Sequence, residues 1–249
     1  MPHEGQTGVY FDSGGNRLLG TLFLARGDES KPTAVVMHGL PGIEKNHDLC
    51  HALRASGWNA LVFHYRGSWG SGGDYRFDTL PDDVRAALDY LGSGVHESVD
   101  GRRIALVGHS MGGWAALMSA EDERVCAVAT IGAVTDPARL PFDASMARES
   151  FTPYLRGITP IEFEQQWVAL GAAEGALQRA AALSSPLLIV HGRTDEVVPV
   201  EQAQLLHAAT ERRARLELHP EANHAFVWHR SWLVNLVIGW LREVTPPPP

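Results

Sequence analysis

Short apolar runs alternate with amphipathic stretches along most of the chain. Runs that are apolar on both faces are typical of buried parallel strands, and a period near 3.6 residues is typical of helices that cover a sheet. The pattern predicts strands at 9–11, 17–25, 33–37, 60–64, 104–107, 125–134, 186–191 and 215–219, and helices at 48–56, 81–91, 200–214 and 230–244, with one more helix starting just after Ser110. The first two strands form a hairpin around the turn 13–16. The alternation predicts an α/β fold with a mainly parallel central sheet and helices on both faces.

The alternation lapses between residues 135 and 185. Helical patterns at 161–170 and 172–183 are interrupted there by prolines, without a strand pattern between them. Because a connection of this length is unusual in a compact domain, we expect a small helical cap inserted into a single domain that covers residues 1–249. The tail 245–249, which contains four prolines, is predicted to be disordered.

The stretch 104–117 joins an apolar run, a serine between glycines and a helix-forming run. Gly108 and Gly112 stand two residues before and after Ser110, as in a sharp strand-to-helix turn that lifts a serine hydroxyl clear of a sheet. The N–H of Met111 lies at the start of the helix, where the helix dipole is positive. The stretch therefore predicts an exposed nucleophile beside a donor for developing negative charge.

A carboxylate and an imidazole follow two later strands. Asp195 comes just after the strand at 186–191, and His224 lies in the loop after the strand at 215–219. Reacting groups in open parallel sheets gather beyond the carboxyl ends of the strands, so we expect both side chains at the same edge as Ser110. A serine hydroxyl needs a base within reach, and the base needs an acceptor that sets its tautomer. The chain order serine, aspartate, histidine supplies these groups.

Composition narrows the choice of partners. The chain has 249 residues and a formal net charge of -8, which argues against nucleic acid or an anionic membrane as its main partner and leaves a small molecule as the simplest one.

The longest apolar stretch, 232–241, is too short to span a bilayer. The first ten residues lack the pattern of a secretory signal, so we expect a cytoplasmic protein. Cys50 and Cys126 are predicted to be free thiols, and without a convincing metal-ligand spacing we expect no metal and no cofactor.

Five motifs together resemble a known family. They are His38-Gly39-Leu40-Pro41-Gly42, the stretch 65–71, the turn 108–112, the loop 191–199 and the pair Asn223-His224. In this combination the chain is similar to α/β-hydrolases of the small carboxylesterase, cinnamoyl esterase and prolyl-oligopeptidase-like branch. The resemblance implies the α/β-hydrolase fold, with Ser110 as nucleophile, His224 as general base and then acid, and Asp195 as the residue that orients His224. It also offers Asp136, after the sixth strand, as an alternative position for the acid.

The same resemblance assigns the oxyanion hole to the backbone N–H groups of Leu40 and Met111. Gly39 and Gly42 let this loop approach a ligand closely, whereas Pro41 has no N–H to donate. Two such donors are needed to hold the negative oxygen of a tetrahedral intermediate.

Several large side chains are candidates for the substrate pocket. They are Trp69, His109, Phe142, Phe151 and Trp167; the alternative role of those in the cap is to pack the cap onto the sheet. We expect a serine hydrolase that cleaves carboxylic esters of short to medium acyl or aromatic acids through an acyl-enzyme. A prolyl-oligopeptidase-like peptidase or amidase, another reaction on the same scaffold, and a ligand-binding protein without catalysis are the alternatives.

Overall fold

The central sheet of the computed structural model, which describes residues 5–173 and 175–245, has eight strands. They are β1 (Gly5–Ser13), β2 (Asn16–Leu24), β3 (Lys31–Met37), β4 (Asn59–Phe63), β5 (Val99–His109), β6 (Val125–Ile131), β7 (Leu187–Gly192) and β8 (Arg215–His219), in the order β1-β2-β4-β3-β5-β6-β7-β8. Strand β2 pairs antiparallel with β1 and β4, and all other neighbours are parallel. The predicted, mainly parallel sheet is therefore confirmed.

Helices cover both faces of this sheet. They are α1 (His47–Ala55), α2 (Leu80–Gly92), α3 (Met111–Met118), α4 (Ala144–Ser150), α5 (Pro160–Ala172), α6 (Ala176–Ala182), α7 (Glu201–Ala209) and α8 (Arg230–Val244). Helices α1 and α8 bury Leu53 and Val237 in the core on one face, and α2, α3 and α7 bury Val84, Leu117 and Leu206 in the core on the other. Each such side chain contributes about 1.5–3 kcal/mol when it leaves water, so both cores hold the parallel strand ends in register.

Some predicted element bounds are wrong for reasons in the backbone. Helix α7 ends at Ala209 rather than at residue 214, because Glu211 and Arg212 have φ of 52° and 63°, outside the right-handed helical region. Strand β6 ends at Ile131, because Gly132 has φ 52° and turns the chain out of the sheet. This turn is important for the site described below.

The segment 135–185 is helical, as its pattern indicates. It contains α4, α5 and α6 and the short 3-10 helices Pro137–Arg139 and Thr152–Tyr154. Helices α4 and α5 pack against each other, whereas α6 packs against α3 and α7 on the sheet. Thr159 and Glu162 form a capping box that starts α5, which satisfies two backbone donors at that helix end.

The C-terminal helix α8 ends at Val244, and the N–H of Thr245 donates to the carbonyl of Leu241. The rest of the predicted tail, 246–249, lies outside the described residues. Within the described ranges, none of the helices has the length and apolar character needed to cross a membrane.

A buried carboxylate anchors the loop that follows β4. Asp83, in the first turn of α2, is fully buried. It accepts hydrogen bonds from Ser13 Oγ (2.7 Å), from the backbone N–H of Arg66 (2.9 Å) and from Arg66 Nε (2.6 Å). Burial raises the pKa of the Asp83 carboxyl, and the hydrogen bonds and the charge of Arg66 oppose that shift. The network fixes the start of the loop 65–72 against the N-terminal hairpin and α2.

Candidate active site

Ser110 stands at a sharp turn between β5 and α3. It has φ 57° and ψ -122°, an unusual conformation for a residue with a side chain. Its N–H donates to the carbonyl of Ile131 (2.9 Å), and its carbonyl accepts from Val134 (3.2 Å) and Gly113 (3.0 Å). Strained backbone of this kind persists where the surroundings determine it, which is common at functional sites. The predicted strand-turn-helix around Ser110 is present.

The two flanking glycines allow this turn because they lie against other backbone. A side chain on Gly108 would overlap the carbonyl of Gly112, and one on Gly112 would overlap the carbonyl of Met37. A Cβ on Gly39 would lie 3.0 Å from Ser110 Oγ, so the loop after β3 also passes directly beside the nucleophile. The three glycines thus bring β3, β5 and α3 together around one hydroxyl.

Asp195 and His224 form a hydrogen-bonded pair at the carboxyl edge of the sheet. Asp195 follows β7, its side chain has no exposed surface, and its Oδ2 lies 2.7 Å from Nδ1 of His224. Asp195 Oδ1 accepts from the N–H groups of Val197 (2.9 Å) and Val198 (2.8 Å). The carboxylate can therefore hold the imidazole with a proton on Nδ1, which leaves Nε2 as the basic nitrogen.

A second histidine also contacts this carboxylate. His191 Nε2, at the end of β7, lies 3.3 Å from Asp195 Oδ2 and 2.8 Å from the carbonyl of Val198. Although burial raises the pKa of the Asp195 carboxyl, hydrogen bonds from His191 and His224 hold that pKa well below its usual range. Asp195 is therefore ionised wherever the protein is folded near neutral pH. Nothing in the local sequence around His191 indicates this contact with Asp195.

His224 lies beside the nucleophile turn. A Cβ on Gly132 would stand 3.2 Å from His224 Nδ1, and the ring centroids of His224 and His109 are 4.7 Å apart. Gly132 follows Ile131, whose carbonyl accepts from the N–H of Ser110, and His109 directly precedes Ser110 in the chain. Among the described residues, Ser110 Oγ makes no hydrogen bond to the imidazole; in substrate-free enzymes this bond is often long and tightens with substrate. The sequence pattern places Gly132 inside the predicted strand 125–134, and a glycine within that apolar run is its only local signal.

His109 packs against His224 and contacts its backbone carbonyl. It is buried, its Nε2 lies 3.0 Å from the carbonyl of His224, and its ring packs on the ring of His224. Burial, followed by the charge of His224, lowers the pKa of His109 to about 3, so the ring is neutral at neutral pH. Its ring and Nε2 therefore contact His224.

The two N–H groups assigned to the oxyanion hole belong to Met111, which follows Ser110, and to Leu40 in the neighbouring loop. Met111 is the first residue of α3, where backbone N–H groups have no acceptor within the helix. Leu40 follows Gly39 in the loop beside Ser110 Oγ, and its N–H donates to no acceptor among the described residues. Two unused donors beside a nucleophilic hydroxyl can stabilise a negative oxygen that develops there.

The remaining predicted residues fall into two groups. Phe142, Phe151 and Trp167 belong to an aromatic cluster of the cap, in which Trp167 is 2% exposed and donates from Nε1 to the carbonyl of Leu140 (2.7 Å). Trp69 instead lies beside the loop that carries Leu40, as described further below. Of the three aromatic residues in the cap cluster, Phe151 and Trp167 are buried and Phe142 is partly buried.

Asp136, the alternative acid, lies after β6 at a 3-10 helix. Its carboxylate accepts from the N–H of Ala138 (3.2 Å) and pairs with Arg139 (3.1 Å). The carboxylate that reaches His224 is that of Asp195. Within residues 5–173 and 175–245, no group of three or more His, Cys, Asp or Glu side chains is arranged to hold a metal ion.

Known proteins share the sequence pattern and the fold. Residues 49–245 match the sequence profile of the prolyl oligopeptidase family. The protein Rv2307c of Mycobacterium tuberculosis is 29% identical over 84% of this chain and 69% of its own length, and YfhR of Escherichia coli O157:H7 is 25% identical over 86% and 72%.

Solved structures of other proteins share the fold of this chain. The esterase domain of a Rhodothermus marinus protein aligns with a TM-score of 0.72 and 26% identity, covering 96% of this chain and 98% of that one. Est1E of Butyrivibrio proteoclasticus, solved with ferulic acid bound, aligns with a TM-score of 0.78 and 21% identity over 96% and 100%. These likenesses confirm the α/β-hydrolase fold, and the profile match covers most of the sequence. The chain is a hydrolase of this fold and belongs to the prolyl oligopeptidase family.

Proposed function

We propose that this protein is a serine carboxylesterase that works through an acyl-enzyme. Ser110 Oγ attacks the ester carbonyl carbon while His224 Nε2 takes the hydroxyl proton, and the carbonyl oxygen becomes negative between the N–H groups of Leu40 and Met111. The intermediate collapses, the alcohol leaves with the proton from His224, and the acyl group stays on Ser110. Water then attacks with His224 as base, which releases the acid and restores the hydroxyl.

One observation carries the proposal: the 2.7 Å bond from His224 to a fully buried Asp195, beside a serine with φ 57° at a strand-to-helix turn. A hydroxyl, an oriented base and two free backbone donors are the parts that acyl transfer needs. Structural packing alone does not need a carboxylate that is buried and kept ionised, because burial without its hydrogen bonds would neutralise it.

The test uses the wild-type chain and Ser110→Ala. We expect a fluorophosphonate to label the wild type at residue 110 and p-nitrophenyl butyrate to be hydrolysed, and we expect both signals to disappear in Ser110→Ala. Wild-type turnover by Ser110→Ala would disprove the mechanism. Labelling of Ser110 without ester turnover would instead favour a protein that keeps the triad for a different acyl substrate.

The substrate class is inferred from the aromatic cluster of the cap. Its partly buried member Phe142 favours the acyl part of short to medium or aromatic esters. The structural neighbour Est1E, solved with ferulic acid, supports the aromatic choice at the level of the fold. A series of p-nitrophenyl esters from acetate to decanoate, with methyl ferulate and methyl benzoate, tests it; a maximum at decanoate would contradict the proposal.

A peptidase or amidase is the second candidate, because the family that the chain matches is that of prolyl oligopeptidase. The same Ser110 chemistry cleaves amides when the leaving amine is protonated by His224. An N-acylated proline p-nitrophenyl ester compared with the matched p-nitroanilide distinguishes the two. We expect the ester to be cleaved at least about a thousandfold faster than the anilide, a difference of about 4 kcal/mol in activation free energy.

A further inference from the structure

The loop that carries Leu40 is held by two ring nitrogens, one from His38 at its own start and one from Trp69 in the loop after β4. His38 Nδ1 lies 2.8 Å from the carbonyl oxygen of Gly39, and Trp69 Nε1 donates to the carbonyl of Pro41 at 2.7 Å. A Cβ on Gly42 would contact both His38 Nδ1 (2.6 Å) and Trp69 Nε1 (2.7 Å), so the two rings converge on this loop. The held carbonyls lie on either side of the Leu40 N–H.

The His38 bond controls the peptide that bears the donor. The carbonyl of Gly39 and the N–H of Leu40 belong to one trans peptide plane, so they point in opposite directions. Burial lowers the pKa of His38 to about 4, so its ring is neutral and can donate from Nδ1. Fixing the Gly39 carbonyl therefore fixes the direction of the Leu40 N–H, which points away from the bonded oxygen.

Trp69 holds the carbonyl of Pro41, and it lies in a hydrogen-bonded turn. It has φ 47°, which is uncommon for a bulky residue, and it sits in a turn closed by the bond from the N–H of Gly67 to the carbonyl of Gly72 (2.9 Å). The turn begins at Arg66, which is tied to buried Asp83. A strained residue in an anchored turn is suited to position a neighbouring segment.

The indole makes two further contacts that tie the loop to the cap. Lys45 Nζ, farther along the Leu40 loop, lies 3.9 Å from the centroid of the Trp69 ring. Tyr154, in a 3-10 helix of the cap segment, stacks on the same indole with a centroid distance of 6.1 Å and an interplanar angle of 22°. Trp69 thus contacts the loop twice and the cap once.

We propose that Trp69 is a positioning residue for the oxyanion hole: its indole N–H holds the Pro41 carbonyl and so keeps the Leu40 N–H aimed at the developing oxyanion. This replaces the expectation that Trp69 serves by contacting substrate. The inference rests on the proposed function, because the loop meets an oxyanion only if Ser110 forms a tetrahedral intermediate. A donor set in place before the reaction stabilises charge without reorganisation.

The test removes the N–H and keeps the ring. In Trp69→Phe we expect kcat for p-nitrophenyl butyrate to fall about tenfold with KM within about twofold, since one of two donors is misaligned rather than deleted. A trifluoromethyl ketone, which forms a hemiketal oxyanion on Ser110, should lose affinity by the same factor. The matched methyl ketone, which binds without that charge, should keep its affinity.

A second replacement separates the N–H from shape. 3-Benzothienylalanine at position 69 has nearly the outline of tryptophan and sulfur in place of the N–H, so we expect it to reproduce the losses of Trp69→Phe. Trp58→Phe is the control for a tryptophan-to-phenylalanine change, because Trp58 is buried just before β4, at the opposite edge of the sheet. It should keep kcat and both ketone affinities.

The outcomes are distinct. Wild-type kcat and trifluoromethyl ketone affinity in both position-69 variants would overturn the inference, and so would a rise in KM alone, which would make Trp69 a substrate contact. If the wild type hydrolyses no ester, the proposed function fails, yet the two ketones still report on the Leu40 donor. Hemiketal formation needs Ser110, His224 to take the hydroxyl proton and the two N–H groups, but it needs no ester that can be hydrolysed.

Discussion

Gly132 lies directly against the Asp195–His224 pair and has φ 52°. A methyl group there would stand 3.2 Å from Asp195 Oδ2, 3.2 Å from His224 Nδ1 and 3.4 Å from its Cε1, so the pair must move by a few tenths of an ångström. The left-handed backbone adds about 1–2 kcal/mol of strain for alanine. The substitution Gly132→Ala therefore has two effects: backbone strain lowers the free energy of unfolding, and the added methyl group displaces the Asp195–His224 pair.

We expect Gly132→Ala to lower the free energy of unfolding by about 1–2 kcal/mol and kcat by about tenfold. A misplacement of 1 Å typically lowers a rate about a hundredfold. Because the Asp195–His224 pair moves by only a few tenths of an ångström here, we expect a loss of about tenfold. Urea denaturation gives the first quantity. Steady-state hydrolysis of p-nitrophenyl butyrate at a temperature where the variant is fully folded gives the second.

Gly94→Ala is the matched control. Gly94 has φ 76°, and an added Cβ there would have no atom within 4 Å, so this change carries backbone strain without a contact. It should lose a similar free energy of unfolding and keep wild-type kcat. The reasoning is refuted if Gly132→Ala keeps wild-type kcat, or if Gly94→Ala loses as much kcat as Gly132→Ala does.

Three further results are expected. Asp195→Asn lowers kcat by about 10³–10⁴-fold, because an amide no longer fixes the tautomer of the base, whereas Asp136→Asn stays within about twofold; equal losses in steady-state assays would place the acid elsewhere. Lowering the pH from 7 to 5 removes about 2 kcal/mol of unfolding free energy for each of His38 and His109, whose pKa values burial lowers to about 4 and 3. Each histidine gains a proton near pH 6.5 in the unfolded chain but stays neutral in the folded chain, so the free energy of unfolding falls as the pH falls. If urea denaturation gives the same unfolding free energy at pH 7 and pH 5, the lowered pKa values of these two histidines are contradicted. Asp83→Ala lowers the unfolding free energy by about 3–5 kcal/mol, because it removes the buried carboxylate that pairs with the largely buried Arg66 guanidinium. Thermal or urea unfolding measures this, and a loss below about 1 kcal/mol would count against a structural role.

Most of the sheet was predictable because strand and helix periods are local. The run 33–37 and the observed β3 differ by two residues, and the predicted and observed bounds of β8 are the same. The ends that were mispredicted are those set by single backbone angles, as at Arg212 after α7. A positive φ at a residue with a side chain leaves no mark in hydrophobic spacing.

The candidate triad was also accessible from the sequence, for a topological reason. Asp195 and His224 each follow a strand, and parallel strands end at one edge, so order along the chain predicts proximity in space. The contact of His191 with Asp195 was not predictable, because an i, i+4 pair straddling the end of β7 meets only if the loop folds back. The same holds for Gly132, whose neighbours come from the loops after β7 and β8.

By itself, the sequence determined the alternation of strands and helices and the serine between two glycines, since each depends on residues that are close in the chain. Only the tertiary structure decided which side chains support these groups: Trp69 reaches Pro41 across 28 positions, and His109 reaches the carbonyl of His224 across 115. Such bonds join segments whose separation is set by packing of the whole sheet. The physical reason is that a hydrogen bond is directional within a few tenths of an ångström, whereas a sequence pattern specifies only which face or edge a residue occupies.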